Sequence, residues 1–437
     1  MRKIYGKTMR IFALLFITSF LILACKSSSP IEEEQWTVAR QMGEFEEMDA
    51  LWLIWPTTNH KEEESVEAVT LAIIDALVSD LTLVISCADE AVLQNAKSTL
   101  VQKYPDLKNL IFHVIPSVEI WTRDMGPVFV ETSNGKHAIA DFNFNAWGYA
   151  DTLDADAITE EKFDENVAEL LNLPLISSAM ISEGGSRELN GKGALMVTEA
   201  VEQGRNPSMS KAEMEAEYQR LLGVKKVIWL KEGLVEDSHT FLGPISTSDN
   251  DKAYTVVTTN GHIDEFARFI NDSTILLASI NSTHLDDPLA QENHRRLEEN
   301  FKILSTSSDQ DGKPFKIVRL PLPQTILSSL NPGDYVYEYI KMLDYQDGSK
   351  FPDGESISVI VPASYLNFII TNKVIVGQKY WREGMDDKIR MQDEEAKRIL
   401  MEAFPSRKVI MLDALAVNLG GGGLHCISMH QPKLISN

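Results

Sequence analysis

A rhythm in the chain restricts its fold more than any other feature. From about Gly43 onward, short apolar runs alternate with longer amphipathic stretches. Residues 48–55 (MDALWLIW) read as a buried strand. Residues 65–79 read as a helix, with Val66, Val69, Ile73, Ile74 and Leu77 at the spacing of one helical face. Residues 81–86 form the next strand, Asp89 is placed to cap a helix running to about Tyr104, and 110–115 is a further strand. The pattern returns in strands over 227–230, 254–259 and 275–278, then in a helix over 288–304. It continues through strands at 357–361 and 374–378, a helix at 394–404 and a strand at 408–412. Strands that alternate with helices place the chain in the α/β class. A length of 437 residues allows two or three domains, but no mid-chain stretch rich in Pro, Gly or Ser marks a split. Residues 203–215 and 246–252 read as polar loops and 305–314 as an exposed excursion.

The first residues have a different character. Arg2, Lys3, Lys7 and Arg10 precede an apolar run over 11–24, which ends Leu21-Ile22-Leu23-Ala24-Cys25. That run is shorter than the roughly 20 residues a membrane-spanning helix needs and suits the core of a signal peptide. Its ending resembles a bacterial lipobox, which implies cleavage before Cys25 and lipidation of that thiol; an uncleaved anchor helix is the competing reading. Residues 26–35 (KSSSPIEEEQ) read as a polar tether. The expected organisation is a signal peptide over 1–24, a lipidated Cys25 and tether over 25–40, and one domain over 41–437. Such a chain is exported and meets the membrane only through its lipid. Without the leader the net charge moves from −23 to −27. That balance argues against nucleic acid, which demands a basic footprint, and agrees with a cationic substrate.

Four short segments carry chemistry. Ile120-Trp121-Thr122-Arg123-Asp124-Met125-Gly126-Pro127 reads as a strand ending in a Gly-Pro turn, and its Arg-Asp pair needs partners among apolar neighbours. In Gly261-His262-Ile263-Asp264, read as extended chain, His262 and Asp264 share a face, an imidazole beside a carboxylate. Glu183-Gly184-Gly185-Ser186 puts a carboxylate before a tight turn. Gly420-Gly421-Gly422-Gly423-Leu424-His425-Cys426 sets a lone thiol after four glycines, a backbone suited to close approach to a ligand. No Gly-Lys-Ser/Thr follows, so a phosphate loop is disfavoured. His425 would face away from the thiol on a strand, which leaves His262 as the better acid–base group and His425 a positioning or packing role. Cys87, inside the apolar run 81–87, reads as a buried structural thiol. No Cys-x-x-Cys or His-Glu-x-x-His spacing suggests zinc.

Taken in order, these segments resemble the agmatine deiminase and Porphyromonas-type peptidylarginine deiminase family of guanidine-modifying enzymes. The matching motifs are Trp121 to Pro127, Glu183 to Gly185, Gly261 to Asp264 and Gly420 to Cys426. Weaker matches are Trp55-Pro56, Arg205-Asn206-Pro207 and Ala363 to Phe368. The sequence departs from the family at Glu119 and Asn260, where typical members carry Asp, and in a longer stretch between Glu232 and Lys252. The resemblance implies a single catalytic domain built as a five-fold pseudosymmetric α/β propeller of the pentein kind. It also implies a hydrolase that needs neither metal nor organic cofactor. A guanidinium is charged at any ordinary pH and is held by paired carboxylates, and a thiolate is the strongest side-chain nucleophile near neutrality. The expected roles follow: Cys426 attacks, His262 moves protons, and Asp124 and Asp264 clamp the substrate. Glu183, Trp121, Arg123 and Asn367 are expected to bind it. Agmatine is the expected substrate, with putrescine metabolism implied. Peptidylarginine is the alternative, and a lipoprotein that binds cations without catalysis is the reading from another class.

Overall fold

The structure, a computed structural model, describes residues 36–105, 108–247 and 251–433. The leader and Cys25 lie outside the described residues. The chain divides after Trp36, and everything described from Thr37 onward belongs to one compact unit. The strand Val38–Gln41 is part of that unit, paired with Val128–Thr132, so the folded chain starts inside the stretch expected to be tether. Among the described residues no helix is long and apolar enough to cross a membrane.

The alternation read from the sequence is realised as six sheets among the described residues. Five of them repeat one motif: a short strand lies antiparallel to a central strand, whose other edge takes a parallel strand. Met48–Ile54 is central between Met429–Pro432 and Thr82–Cys87. His137–Asn143 lies between Val128–Thr132 and Leu175–Ile181, and Ala194–Thr198 between Arg187–Leu189 and Lys226–Leu230. Thr274–Ser279 lies between Ala267–Asn271 and Lys316–Pro321, and Val374–Lys379 between Ile369–Ile370 and Lys408–Asp413. A parallel neighbour cannot be reached by a tight turn. Helices make the crossings, among them Val66–Leu77, Lys211–Leu222, Pro288–Thr306 and Asp387–Ala403. The sixth sheet is mixed and has Lys252–Thr255 and Ile357–Val361 at its centre.

Local chemistry explains the elements. The Ser65 and Asp89 side chains accept the N–H groups of Ala68 and Val92 at the first turns of their helices. Ala50–Ile54 is an unbroken apolar run because both faces are covered: Leu51 and Leu53 share a cluster with Ile73, Ile74 and Leu77, while Trp52 and Ile54 share another with Ile139, Phe163 and Val167. Each such side chain, fully buried, contributes about 1.5–3 kcal/mol.

Three stretches differ from the expectation. Residues 203–215 are mostly helical, in Glu199–Arg205 and Lys211–Leu222. A Ser210–Glu213 capping box starts the second helix, and Met214, Tyr218 and Leu221 bury one face of a segment whose composition is polar. The strand expected over 254–259 stops at Thr255, and the chain beyond it is irregular as far as the turn Ile263–Glu265. Thr122–Met125 is one turn of helix rather than strand, with the Asp124 N–H donating to Trp121 O at 3.0 Å.

One regularity places the functional residues. Asp124, Glu183, the His262–Asp264 turn, Asn367 and Cys426 each stand just before the short antiparallel strand of one of the five repeated sheets.

Candidate active site

Cys426 lies in a turn and is 4 % exposed. Its carbonyl accepts the Arg123 N–H at 3.0 Å, tying the thiol-bearing turn to the Thr122–Met125 helix. Around Sγ stand Asn367 Nδ2 at 3.1 Å, Asp264 Oδ2 at 3.6 Å and Glu265 Oε1 at 3.9 Å. Asn367 is occupied on both sides: its Nδ2 also donates to Glu265 Oε1 at 2.8 Å, and its Oδ1 accepts the N–H of His425 at 2.8 Å. The side chain expected to bind substrate therefore positions the nucleophile turn. The glycines before it approach protein groups rather than open space. Gly421 has φ +114°, and a Cβ there would strike Val257 O; one on Gly422 would come within 2.7 Å of the Trp121 ring and 2.9 Å of Sγ.

His262 is held from behind. Asp237 accepts the N–H groups of His262 at 2.9 Å and Gly261 at 2.8 Å, and the Thr259 hydroxyl at 2.7 Å. Asn260 sits between them at φ +72°, a conformation that Asn and Asp tolerate better than other side chains. This accounts for the family's Asp and this chain's Asn at one position. Ile263–Glu265 is a tight turn, not extended chain, yet His262 and Asp264 still converge: a Cβ on Gly185 would meet His262 Nδ1 at 2.6 Å, Asp124 Oδ1 at 2.9 Å and Asp264 Oδ2 at 3.2 Å. Only glycine leaves room there for all three groups.

The imidazole stands between two carboxylates, with Nδ1 3.7 Å from Asp124 and Nε2 3.8 Å from Glu183. Asp124 is fixed by the Gly185 N–H at 2.8 Å and by the Trp147 indole N–H at 2.7 Å. Glu183 is fixed by Arg205 at 2.5 Å, which also donates to Thr259 O at 2.7 Å. His425 Nδ1 reaches Asp264 Oδ2 at 2.6 Å and its Nε2 reaches Glu44 at 2.9 Å, the positioning role expected of it. Arg123, expected at the substrate, is engaged elsewhere: it pairs with Glu44 at 2.5 Å and approaches His425 O at 3.4 Å. A guanidinium makes a poor partner for a guanidinium substrate, and Glu44 neutralises this one.

Charges in the site follow from this packing. Burial would lower the His262 imidazole, but Asp124, Glu183 and Asp264 overcome it and hold it up at about 9. Burial, then Asp264, Glu265 and Asp124, push the Cys426 thiol well above its ordinary value. Burial would raise Asp264, yet His425, His262 and Arg268 keep it below the usual carboxylate range. Burial and its acidic neighbours Asp264, Asp237 and Glu236 raise Glu265 well above that range. Several buried atoms at this point have no hydrogen-bond partner: both His262 ring nitrogens, Asp264 Oδ1, Glu183 Oε2 and Glu265 Oε2. Native interiors rarely leave such groups unpaired.

Among the described residues two groups have donors at metal-binding spacing, Glu44–Glu188–His425 and Asp264–Glu265–Cys426. Arg268 bridges the first through Glu44 and Glu188. Asn367 Nδ2 donates to all three members of the second. Protein donors thus already serve both.

Trp147, Asp237, Glu265 and Glu44 escaped the sequence reading. Glu265 was within reach of it, since it follows Asp264 in the same motif. Trp147 has no local signature; its segment has positive φ at Ala146 and Trp147, a backbone shape that sequence pattern does not announce.

A buried thiol beside Asp264, which pairs with the His425 imidazole, and a second imidazole, His262, converging with Asp124 and Asp264 on Gly185 define a cysteine-dependent site for a cationic substrate. Comparison with known proteins agrees. The family model for Porphyromonas-type peptidyl-arginine deiminase matches residues 40–242 and 250–432, and the chain belongs to that family. It is similar to the agmatine deiminase of Medicago truncatula, 28 % identical over 90 % of this chain and 96 % of that one. The agmatine deiminase of Pseudomonas aeruginosa is likewise 28 % identical, over 90 % and 95 %. Among solved structures, the agmatine deiminase of Enterococcus faecalis shares the fold, with a TM-score of 0.69 at 22 % identity over 91 % of this chain and 96 % of that one.

Proposed function

We propose that the protein is a guanidino deiminase that hydrolyses agmatine to N-carbamoylputrescine and ammonia. One observation carries the reading: Asp264 Oδ1 and Glu183 Oε2 are buried acceptors without partners, on residues that approach Cys426 Sγ at 3.6 Å and His262 Nε2 at 3.8 Å respectively. A planar cation with forked N–H donors would satisfy them, with Asp124 completing the clamp. Its charge also cancels part of the carboxylate field that keeps the thiol protonated, so binding favours loss of the Cys426 proton to solvent. The thiolate then attacks the guanidinium carbon. His262, charged at neutral pH, gives its proton to the departing nitrogen, and ammonia leaves an S-linked amidino adduct on Cys426. The neutral His262 takes a proton from water, the hydroxide adds to the adduct carbon, and the thiolate departs, taking up the hydroxyl proton to restore the thiol and leave the neutral ureido product. The chain's own residues suffice for every step.

The five repeated sheets, each preceded by one site residue, support a five-fold pseudosymmetric propeller with the reaction at its axis. The leader and Cys25 support an exported, lipid-anchored enzyme, for which peptidylarginine is the alternative substrate.

The test is release of ammonia and ureido product by the purified protein offered agmatine, free arginine and a peptide ending in arginine. Turnover on agmatine is expected. Preference for the peptide would move the protein to citrullination, and no turnover on any of them with the thiol reduced would end the deiminase reading.

A further inference from the structure

The steps of the reaction leave one buried carboxyl beside the nucleophile unused. Glu265 is 4 % exposed, and the Ser364 hydroxyl holds its carbonyl at 2.5 Å. Its Oε1 lies 3.9 Å from Cys426 Sγ and accepts from Asn367 Nδ2 at 2.8 Å, while Oε2 is buried without a partner.

Donors around the sulfur are in short supply. Asn367 Nδ2 has two hydrogens and three acceptors in reach: Glu265 Oε1, Cys426 Sγ at 3.1 Å and Asp264 Oδ2 at 3.2 Å. His425 Nδ1 serves Asp264 Oδ2 at 2.6 Å, which frees the amide for the other two. The sulfur still has one N–H to itself. A thiolate in so dry a site needs more, because a desolvated charge without partners is unfavourable.

The same spacing decides the charge of Glu265. Oxygens of Asp264 and Glu265 lie within 4.8 Å of each other and of Sγ. Like charges that close do not all ionise together. Asp264 is the ionised member: burial opposes its charge, but His425, His262 and Arg268 keep it below the usual range. For Glu265, burial, Asp264, Asp237 and Glu236 outweigh Arg268, whose guanidinium pairs with Glu44 and Glu188. Burial also keeps the neighbouring Tyr380 a neutral phenol. As a carboxylate, Glu265 would join burial, Asp264 and Asp124 in pushing the thiol up. With its hydrogen in place it has an O–H to give, and its effect on the sulfur is reversed.

We propose that Glu265 donates a hydrogen bond from its carboxyl to the Cys426 sulfur, steadying the thiolate as it attacks and again as it leaves the adduct. Oε1 keeps a lone pair for Asn367 and turns its hydrogen to Sγ, and no proton changes hands. The 3.9 Å contact is long while the thiol gives its own hydrogen to Asp264 Oδ2 at 3.6 Å; it shortens once the sulfur is charged. The part in turnover rests on the deiminase reading, whereas the contact with sulfur does not.

The experiment measures the pH profile of Cys426 alkylation by iodoacetamide in the wild type, Glu265→Gln and Glu265→Met. Mass spectrometry of the Cys426 peptide keeps Cys87 out of the signal. Glutamine is neutral and still offers N–H donors; methionine has similar length and offers none. Glu265→Gln is expected to keep the wild-type midpoint. Glu265→Met is expected to raise it by about one to two pH units, the strength of one hydrogen bond to a charged group. With agmatine, kcat of Glu265→Met should fall on the order of a hundredfold, and Glu265→Gln should recover most of that loss. A Glu265→Gln midpoint at clearly lower pH overturns the proposal, because a carboxylate had then been repelling the thiolate. A Glu265→Met midpoint no higher than that of Glu265→Gln overturns it as well. The infrared difference spectrum of wild type against Glu265→Gln at pH 7 needs only the glutamine variant. A protonated-carboxyl band lost with the side chain supports the proposal, and its absence overturns it. If no guanidine turns over, these two readouts still decide, and only the deiminase reading fails.

Discussion

At neutral pH Cys426 and His262 both hold their protons. The carboxylates that raise the thiol also keep the imidazole charged up to about 9, so the resting pair at neutral pH is thiol and imidazolium. Two outcomes follow at this scale. The reacting pair, thiolate with imidazolium, has one proton fewer than the resting pair, so kcat/KM should rise with pH through neutrality and stop rising at about 9, where His262 loses its proton. Asp124→Asn removes the largest charge that raises the imidazole, so this break should move to lower pH as activity drops; pH–rate profiles from 6 to 10.5 check both. A break near the ordinary histidine value in the wild type would remove the carboxylate field from the account. Cys426→Ala should release no ammonia above background yet still bind agmatine by calorimetry, because the clamp is on other residues.

At the scale of elements, the tight passage at Gly184–Ser186 decides how close the groups can come. Gly185→Ala adds a methyl 2.6 Å from His262 Nδ1 and 2.9 Å from Asp124 Oδ1, so one side chain must move. A shift of about 1 Å can cost on the order of a hundredfold in rate. The expected result is a fall of that size in kcat with the circular-dichroism spectrum unchanged; wild-type kcat would mean that the passage is more open than drawn here. The same elements show what a sequence discloses. Met48–Ile54 is legible because burial on both faces leaves an unbroken apolar run over Ala50–Ile54. Lys211–Leu222 is not, since Met214, Tyr218 and Leu221 are diluted among charged residues and only the capping box betrays the helix. Cys426, His262, Asp124, Asp264 and Glu183 stand in short motifs beside glycines, where backbone demands and chemistry coincide in sequence. Trp147 and Glu44 act on residues distant in sequence, and no local pattern records such contacts.

Across the whole molecule, Glu44 gathers charges from several sheets. It accepts from Arg123 at 2.5 Å, Arg268 at 2.6 Å and His425 at 2.9 Å, with 17 % of its side chain exposed. Burial opposes its ionisation, but Arg123, His425 and Arg268 hold its carboxyl well below the usual range. Glu44→Gln leaves the buried Arg123 guanidinium uncompensated and Arg268 with Glu188 alone, and should cost about 3 kcal/mol of stability in urea titrations at pH 7. The sign of the pH effect is fixed by the depressed value: the carboxylate's contribution is present above its unfolded value, about 4.3, and is lost as pH falls. The gap between wild type and variant should therefore narrow in acid, and a gap independent of pH would assign the loss to packing.

The sheet that seats the nucleophile pairs Met429–Pro432 with Met48–Ile54, joining the two ends of the folded unit. Translation therefore delivers every clamp residue and the proton carrier long before the thiol. A polypeptide halted ahead of Cys426 has an incomplete trap for cations and no means of consuming them. One halted just past it owns the thiol but lacks the strand that seats it. Ammonia release in this sense reports that synthesis has passed Pro432 and that the two ends of the folded unit have met.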